Sequence, residues 1–408
     1  MDEPRVEMAL LRRRTPAAWT DLLQARPELE DVAVTAVSAM PLNRDSQLRY
    51  GRHVMRYILS LDGHTDPISL IAKYTSRNEA RFYDSIAKQL PTITPNTYFV
   101  HQFNQEGWVI LEDIPNHRPP EKWTEDEVQN AVSDLAQIHS QFWQQENSLA
   151  SFGLDHFIEG KKYTWQELRR EFAIYFDDGP GSIVSEHAIN SSGRLAPQLL
   201  QAANGLSVLQ SLGGWPGILG ESHLTAVSDL LDDPLPMIKP LLNLPMTLLH
   251  GDPHPYHWRN TLFDDGRLID WRGTRIGPGI FDLVSFLEQF DLLYLDPERT
   301  KMTVRGEWPV SEETIIDSYL LEMSAIVPNF DARAARLAIP AARCLYVITN
   351  WFPYFATWFS EMPNKYTWQK VNRLKDDQLE DSMFQPMVRF RPYLSGVFER
   401  FMFAYRSL

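Results

Sequence analysis

The distribution of apolar residues divides the chain into two parts with different periodicity. In the first part, apolar side chains alternate with polar ones in short runs rich in β-branched and aromatic residues, which is typical of strands. Five strands are predicted: Val32–Met40, Val54–Leu61, Pro67–Tyr74, Phe99–Phe103 and Trp108–Leu111. A short helix over Thr15–Leu23 precedes them, and another helix opens at Ser76. The first part is therefore predicted to be a sheet with one main helix.

After position 115 the period becomes that of amphipathic helices. Thr124 and Glu127 form a capping box in front of apolar positions spaced three and four residues apart, which predicts a helix. Further helices are predicted within Trp165–Phe176, Leu195–Leu206, Phe281–Phe290, Glu312–Ile326, Ala332–Phe352 and Leu379–Tyr405. This order of elements indicates an α+β fold, with the sheet in residues 1–115 and the helices in residues 116–408.

Composition and charge narrow the function classes. The chain has 408 residues and a net charge of −14, whereas a non-specific nucleic-acid binder needs clustered lysine and arginine. The single cysteine, Cys344, excludes an internal disulfide and a four-cysteine metal site. Met1–Arg14 lacks the apolar core of a secretory signal, and no apolar run is long enough to span a bilayer. These features predict a cytoplasmic protein with neither a nucleic-acid nor a membrane partner, and they leave the oligomeric state open.

The candidate chemistry is concentrated in one stretch. The apolar strand Met246–Leu249 runs into His250-Gly251-Asp252-Pro253-His254-Pro255-Tyr256-His257, a loop rich in groups that hold protons or metal ions. Two apolar runs then flank Asp264-Asp265-Gly266, which predicts a hairpin that returns Asp270 towards the loop carrying Asp252. Phosphoryl transfer needs two such carboxylates, one to orient the attacking hydroxyl and one to hold the metal ion that bridges the nucleotide phosphates.

Three motifs in this region resemble those of one family. His250-Gly251-Asp252, Ile269-Asp270-Trp271, and Gly277-Pro278 with Asp282-Leu283 are similar to motifs of the aminoglycoside phosphotransferase family, which includes choline kinase relatives. The resemblance implies a two-lobed, protein-kinase-like fold. Residues 1–115 would form the nucleotide-binding lobe, and residues 116–408 would form the larger, mostly helical catalytic and acceptor-binding lobe. It also implies an enzyme that transfers the γ-phosphate of ATP or GTP to a hydroxyl of a small-molecule acceptor.

The resemblance also assigns roles to individual residues. Asp252 would be the catalytic base, and Asp270 would be the metal ligand that corresponds to the D-F-G aspartate of kinases. Lys73 would bind the nucleotide phosphates and pair with Glu79, although Glu79 also fits a capping box with Ser76. The hinge Glu112-Asp113-Ile114 would bind the base through its backbone, with Glu112 and Ile114 as the candidate positions. Asp282 is expected to cap its helix or to hold the catalytic loop.

One position departs from the family pattern. The family has a second metal-binding Asn five residues after the catalytic Asp, where this chain has His257, and Asn260 follows three residues later. Imidazole is a poorer ligand than an amide oxygen for Mg²⁺ and suits softer ions, so Mn²⁺ is an alternative to Mg²⁺ as the second cofactor beside ATP. His257 could instead bind phosphate or Asp252. The alternative function is a catalytically altered kinase-fold protein that binds nucleotide or a metabolite without phosphoryl transfer.

Two other features have more than one interpretation. His250, Asp252, His254 and His257 place four potential ligands in one loop, as in metal-dependent hydrolases that use a zinc-bound water, which gives a second alternative function. Aromatic residues are dense between positions 346 and 368, which favours packed core helices over a box for a quaternary ammonium ligand. No motif identifies the acceptor.

Overall fold

The chain forms two compact units in the computed structural model. The structure describes residues 15–42, 54–115, 117–171, 184–260, 266–294, 302–304, 307–359, 362, 364–379 and 385–408. One unit comprises residues 1–119 with residues 256–274, and the other comprises residues 120–255 with residues 275–408. The first unit therefore contains Lys73, His257 and Asp270, and the second contains Asp252. The lobe boundary expected near position 115 stays a prediction.

The first unit is built on a five-stranded antiparallel sheet. Its strands are β1 (Val34–Pro41), β2 (Val54–Leu61), β3 (Ile68–Ser76), β4 (Thr97–Phe103) and β5 (Glu106–Glu112), in the spatial order β1-β2-β3-β5-β4. Every neighbouring pair is antiparallel. The helix α1 (Pro16–Gln24) begins at the N-cap Thr15 and packs Trp19 against Tyr57 of β2, with ring centroids 4.8 Å apart. The five strands and this helix confirm the predicted pattern, with shifts of a few residues at their ends.

The helix predicted at Ser76 is short and irregular. It begins as α2 (Arg77–Arg81) and continues as a π-helical turn over Phe82–Ile86. A π-helical turn is uncommon and is found frequently at functional sites. Phe82 and Tyr83 are fully buried here, so the turn presents two aromatic rings to the interior of the first unit.

The second unit is mostly helical. Its helices are α3 (Glu125–Gln141), α4 (Glu146–Ser151), α5 (Trp165–Glu171), α6 (Glu186–Ser192), α7 (Ala196–Leu212), α8 (Glu221–Asp232), α9 (Leu235–Leu242), α10 (Ile280–Phe290), α11 (Glu312–Ile326), α12 (Ala332–Leu337), α13 (Ile339–Phe359), α14 (Lys365–Val371), α15 (Asp376–Leu379) and α16 (Gln385–Tyr405). Two short antiparallel pairs complete it: β6 (Thr247–Leu249) with β7 (Arg275–Gly277), and β8 (Leu292–Tyr294) with β9 (Met302–Val304). In the part of the chain that the structure describes, none of the helices has the length and apolar character that crossing a membrane requires.

The helix α13 organises the interior of the second unit, since it packs against α7, α9, α10 and α16. Its aromatic residues are core residues: Phe352 meets Phe398 of α16 with ring centroids 6.0 Å apart, and Phe359 meets Trp215 at 5.2 Å. Phe352, Phe359 and Phe398 are all buried. The dense aromatic segment is therefore part of the core, as the sequence favoured.

One predicted helix has a single interruption. The segment Ala332–Phe352 is mainly helical, as predicted, but α12 ends at Leu337 and α13 begins at Ile339. Pro340 fits this place, because proline is tolerated in the first turn of a helix, where its missing N–H would have no partner. The helices α8 and α9 lie in the region 153–245, where the sequence pattern gave least information.

Gly205→Ala tests the contact between α7 and α13. A Cβ at Gly205 would lie 1.8 Å from the carbonyl oxygen of Phe352, so the two backbones must separate. Helix propensity alone favours alanine by about 1 kcal/mol, but overpacking of a core costs about 3 kcal/mol when backbone must move. We expect a net loss of about 2 kcal/mol in the free energy of unfolding, measured by denaturant titration.

The matched control is Gly220→Ala, because a Cβ at Gly220 would meet no atom within 4 Å. The control should change the free energy of unfolding by less than about 1 kcal/mol. Equal losses in the two variants would contradict the close approach of α7 and α13.

Candidate functional site

Lys73 lies between two carboxylates in the first unit. It sits on the central strand β3, opposite Val54 of β2 and Val109 of β5. Its Nζ atom is 2.8 Å from Glu79 Oε1 and 2.8 Å from Asp270 Oδ1. Burial lowers the pKa of Lys73, but Asp270 and Glu79 outweigh it and raise the pKa above the ordinary value. The ammonium group is therefore a fixed positive charge, the property that a phosphate-binding lysine needs.

Glu79 is fully buried at the start of α2 and serves Lys73 rather than the N-cap. Ser76 accepts the backbone N–H of Glu79 at 3.4 Å, which is one half of the capping box. The carboxylate does not return to Ser76. It accepts hydrogen bonds from Lys73, from the Thr75 hydroxyl and, at 3.2 Å, from the backbone N–H of Trp271. The buried carboxylate thus ties β3 to the residue after Asp270.

A chain reversal brings His257 and Asp270 together. Residues 261–265, which include the predicted Asp-Asp turn, lie outside the described residues. On either side of them the chain is antiparallel: Arg259 N donates to Arg267 O at 2.7 Å, and Ile269 N donates to His257 O at 2.9 Å. His257 Nε2 is consequently 3.5 Å from Asp270 Oδ2.

Asp270 is surrounded by positive groups. Besides Lys73, Arg272 donates from Nε to Oδ1 at 2.5 Å and from Nη2 to Oδ2 at 2.7 Å. Burial raises the pKa of Asp270, but Lys73, His257 and Arg272 outweigh it and hold the pKa well below the ordinary value. The residue has φ +70°, in the left-handed region that few non-glycine residues adopt. Backbone conformation and charge together fix an ionised carboxylate at this point.

Aromatic packing supports this position. The ring of Trp271 stacks on Phe82 of the π-helical turn, with centroids 3.8 Å apart and planes 10° apart. Trp271 Nε1 also donates to the carbonyl of Leu268 at 3.0 Å. Trp271 is fully buried, so the residue that follows Asp270 is anchored in the core of the first unit.

The predicted hinge follows β5 and is fastened to the sheet. The Asp113 carboxylate accepts a hydrogen bond from Ser69 Oγ at 2.6 Å and pairs with Arg56 Nε at 2.6 Å. Glu112 Oε2 accepts from Asn96 Nδ2 at 3.0 Å, and the carbonyl of Ile114 lies 3.2 Å from His117 Nδ1. The side chains of Glu112 and Asp113 are therefore engaged with the protein, and the expectation that the backbone at Glu112 and Ile114 binds a base stays a prediction.

In the second unit, Asp282 holds the loop that carries Asp252. His250 N and Gly251 N donate to its two carboxylate oxygens at 2.6 and 3.0 Å. Gly251 has φ +84°, a conformation that glycine adopts without strain. Asp282 is fully buried in the first turn of α10. Of the two structural roles considered for Asp282, the structure supports the one that holds the loop.

A relay of buried hydrogen bonds fixes Asp282 from behind. His139 Nε2 is 3.4 Å from Asp282 Oδ2, and His139 Nδ1 is 2.8 Å from the hydroxyl of Tyr319. Burial raises the pKa of Tyr319, and the charge of Asp282 raises it further, so the phenol stays protonated. The Asp282 carboxylate accepts hydrogen bonds, so Nε2 of His139 is the donor in their contact. His139 is fully buried and acts as a hydrogen-bonded core residue, as expected from its helical position.

Asp252 itself is held by the same helix. Gln289 Nε2 donates to Asp252 Oδ1 at 3.0 Å and also lies 3.0 Å from Ser285 Oγ. Asp282, Ser285 and Gln289 are spaced as i, i+3 and i+7, so one face of α10 carries the contacts to the loop. Asp252 belongs to a different unit from Asp270, and the expectation that the two carboxylates face one point stays a prediction.

The donor set limits what metal ion the chain can hold. In the regions that the structure describes, no three His, Cys, Asp or Glu side chains are grouped as a metal site, so the hydrolase alternative gains no support. Asp270 fits one divalent ion that arrives with phosphates, because Mg²⁺ commonly uses one or two carboxylates together with phosphate oxygens and water. His257 supplies no oxygen ligand for a second Mg²⁺.

Sequence motifs do not mark Gln289 or Arg272. The period of α10 could have indicated Gln289, since it lies seven residues after Asp282, on the same face of a helix that is mostly apolar. The only sequence feature that points to Arg272 is its position two residues after Asp270. Nothing in the sequence shows that the Arg272 side chain turns back onto the Asp270 carboxylate.

The chain matches the family described as "APH: Phosphotransferase enzyme family" over residues 42–301. This match covers well over half of the chain, so the protein belongs to that family. Its class of activity is phosphoryl transfer. The predicted α+β, protein-kinase-like fold class is confirmed.

Several solved structures are similar to this chain. A spectinomycin phosphotransferase in complex with ADP and spectinomycin is 13% identical, with 97% of this chain and 100% of that one covered and a TM-score of 0.45. A choline kinase from Cryptosporidium parvum is 13% identical, with 93% and 99% covered and a TM-score of 0.41. A choline/ethanolamine kinase family protein from Mesorhizobium loti is 11% identical, with 93% and 98% covered and a TM-score of 0.39. A search of curated proteins gave no significant match.

Asp282→Ala tests how strongly the loop depends on one carboxylate. The change leaves two backbone N–H groups near Asp252 without their acceptor in a buried place, which costs about 3 kcal/mol. The free energy of unfolding, measured with denaturant, should fall by that amount.

Asp331→Ala is the control, because Asp331 is exposed and accepts a single backbone N–H, that of Ala334, at 2.9 Å. Loss of such a helix cap costs about 1 kcal/mol. The structural role of Asp282 is refuted if the two variants lose the same stability.

Proposed function

We propose that this protein transfers the γ-phosphate of ATP, with GTP as the other candidate donor, to a hydroxyl group of a small molecule. The observation that carries the proposal is the placement of Lys73 Nζ at 2.8 Å from both Glu79 and Asp270. In protein kinases, the lysine of the third strand binds the phosphates while it pairs with a helix glutamate, and a nearby aspartate binds the metal ion. Three separated parts of this chain converge on that arrangement.

The base of the nucleotide would bind the hinge backbone, at Glu112 and Ile114. The amides of Glu112 and Asp113 already donate within the first unit, to Asn96 O at 2.9 Å and Ser69 O at 3.3 Å. These contacts support an arrangement in which the Glu112 carbonyl accepts a hydrogen bond from the base and the Ile114 N–H donates one to it. The contacts of Asp113 with Ser69 and Arg56 keep the segment in place.

Asp252 would act on the acceptor hydroxyl. Gln289 donates to Oδ1 and orients the carboxylate, which would accept the hydrogen bond from the hydroxyl. The hydroxyl oxygen forms its bond to phosphorus as the bond to the leaving diphosphate breaks, and the hydroxyl proton passes to the Asp252 carboxylate. A loose transition state needs little early proton abstraction, so orientation of the hydroxyl is the main contribution of Asp252.

A divalent ion would be held by Asp270 together with the phosphates. When bound, such an ion neutralises charge on the phosphate oxygens. Mg²⁺ suits the carboxylate of Asp270, whereas Mn²⁺ would also accept the imidazole of His257. We expect the site to act on a small molecule in the cytoplasm, without a nucleic-acid or membrane partner.

One observation favours the second candidate function, nucleotide binding without transfer. His257 stands where the family has a metal-binding Asn, and Arg272 makes two hydrogen bonds to the carboxylate that would hold the ion. A protein of this kind would show nucleotide-dependent thermal stabilisation and no product. The experiment that separates the two is a screen of hydroxyl compounds with ATP or GTP and Mg²⁺ or Mn²⁺, followed by mass spectrometry. A phosphorylated product supports transfer, and nucleotide binding with no product from any acceptor class contradicts it.

Asp252→Asn tests the role of the base, with the best acceptor from that screen. An amide oxygen is a weaker acceptor than a carboxylate oxygen and cannot take the hydroxyl proton, so the hydroxyl is both oriented less well and not deprotonated. We expect kcat to fall about 10²–10⁴-fold while nucleotide affinity, measured by calorimetry, stays within about twofold. Asp331→Asn is the control for a general effect of removing one carboxylate, and its kcat should be unchanged. Full turnover in Asp252→Asn would remove Asp252 from the mechanism.

Gln289→Leu tests the positioning of Asp252. The variant keeps a similar volume but removes the Nε2 donor, so Asp252 loses one of its orienting contacts. We expect kcat to fall about tenfold with little change in the KM for nucleotide, because misplacement of a catalytic group acts on the transition state. Ser285→Ala, which removes the neighbouring hydroxyl and leaves the Gln289 amide, should have a smaller effect. A change in KM alone would show that Gln289 serves binding and not the orientation of Asp252.

A further inference from the structure

Arg272 is the outermost partner of the Asp270 carboxylate. Its side chain is 36% exposed, whereas those of Asp270 and Lys73 are 16% and 13% exposed. Lys73 approaches Asp270 from the side of the sheet, where Glu79 is fully buried. The guanidinium group can therefore leave the carboxylate without disturbing the core, and Lys73 cannot.

Arg272 occupies much of the Asp270 carboxylate that a metal ion would use. The guanidinium contacts Oδ1 at 2.5 Å and Oδ2 at 2.7 Å as a bidentate pair. Each carboxylate oxygen has two lone pairs, and Lys73 also donates to Oδ1, while His257 Nε2 lies 3.5 Å from Oδ2. Mg²⁺ binds carboxylate oxygens at about 2.0–2.1 Å in a strict octahedral geometry. An ion at Asp270 therefore competes with Arg272 for the carboxylate.

Charge balance indicates when replacement of Arg272 by a metal ion at Asp270 is favourable. Lys73 and Arg272 balance Glu79 and Asp270, so a divalent ion alone would leave an excess of positive charge in a partly buried place. The phosphates of a nucleotide remove that excess. They also offer the displaced guanidinium a bidentate partner, since Arg matches phosphate geometry as well as carboxylate geometry.

The second metal position of the family has no oxygen ligand in this chain. His257 occupies it, with Nε2 3.5 Å from Asp270 Oδ2. A second Mg²⁺ would bind poorly to imidazole. Phosphoryl transfer still needs a positive charge beside the phosphates. Arg272 is close enough to supply it, because it lies two residues after Asp270 in the chain.

We propose that Arg272 is the second cation of this site. It pairs with Asp270 in the nucleotide-free protein, yields that carboxylate to a single divalent ion carried by a nucleoside di- or triphosphate, and then binds the phosphates. The inference rests on the proposed function in one respect, namely that a nucleotide phosphate binds beside Asp270. If Arg272 acts in this way, a metal ion binds at Asp270 only when a nucleotide is bound as well.

The test measures binding and not turnover. Mn²⁺ is titrated into the full-length protein without nucleotide, and the free ion is followed by electron paramagnetic resonance. Arg272→Gln frees Asp270 and removes one positive charge, so it should bind Mn²⁺ about tenfold more tightly than the natural protein, equivalent to about 1.4 kcal/mol. In a separate titration with ADP saturated with Mg²⁺, so that the ion releases Arg272 from Asp270, the same variant should bind the nucleotide about tenfold more weakly, because a phosphate partner is lost.

Two variants serve as controls. Arg336→Gln removes an arginine that is 40% exposed and pairs with Glu313 and Asp317 in the second unit, so it matches the charge change and exposure of Arg272→Gln. It should leave both affinities unchanged. The double variant Arg272→Gln with Asp270→Asn should lose the gained Mn²⁺ affinity, which assigns the ion to Asp270.

The outcomes separate this inference from the proposed function. An Mn²⁺ affinity in Arg272→Gln within twofold of the natural protein, including the case in which neither binds the ion, overturns the inference. Unchanged ADP affinity overturns the claim that Arg272 binds phosphate. Tighter Mn²⁺ and weaker ADP binding, with no phosphorylated product from any acceptor, would uphold the inference and contradict the proposed transfer. Product formation with unchanged Mn²⁺ and ADP affinities would uphold the proposed transfer and overturn the inference about Arg272.

Discussion

The first unit depends on one buried ammonium group shared between two carboxylates. Lys73, Glu79 and Asp270 come from the central strand, the irregular helix and the return of the chain after residue 266. Loss of one partner of a buried pair leaves an uncompensated charge, which costs several kcal/mol. The three segments must therefore be placed correctly at the same time. Three local features hold Asp270 in position: its left-handed conformation, the π-helical turn and the stack of Trp271 on Phe82. The charges that hold the unit together are those that would meet a nucleotide.

The second unit uses a carboxylate differently, as an acceptor for a loop backbone. The helix α10 contacts the loop that carries Asp252 through Asp282 and Gln289 and is fixed on its other side by ion pairs of the buried Glu288. Glu288 is fully buried and lies 2.6 Å from Arg343 Nε and 2.9 Å from Arg400 Nη2. Burial lowers the pKa of Arg343, but Glu288 and Glu312 outweigh it and raise the pKa, so the arginine stays charged. A helix held in this way can present Asp252 at a fixed place.

The family match gives the reaction class, and the proposed cation chemistry comes from this chain's own residues. Asp252, Asp270 and Asp282 stand in motifs that resemble those of the family. His257 and Arg272 lie outside that pattern, and both approach the Asp270 carboxylate. A guanidinium is a permanent cation with a planar pair of donors, so it can supply the charge of a metal ion but not its coordination of oxygen ligands. In the proposed site, Arg272 would therefore supply positive charge beside the phosphates that a second metal ion would otherwise supply.

The sequence by itself determined the five strands, most of the helices, the family and the positions of the two aspartates, because these follow from local periodicity and contiguous motifs. It left α8 and α9 unassigned, since they lie where the pattern of apolar positions was weakest. Only the tertiary structure decided that Glu79 turns to Lys73 instead of completing its capping box, that Gln289 contacts Asp252, and that Arg272 covers Asp270. In each case a side chain has more than one possible hydrogen-bonding partner nearby and contacts one of them. Such choices depend on burial and on the charges contributed by distant segments, which local spacing does not encode.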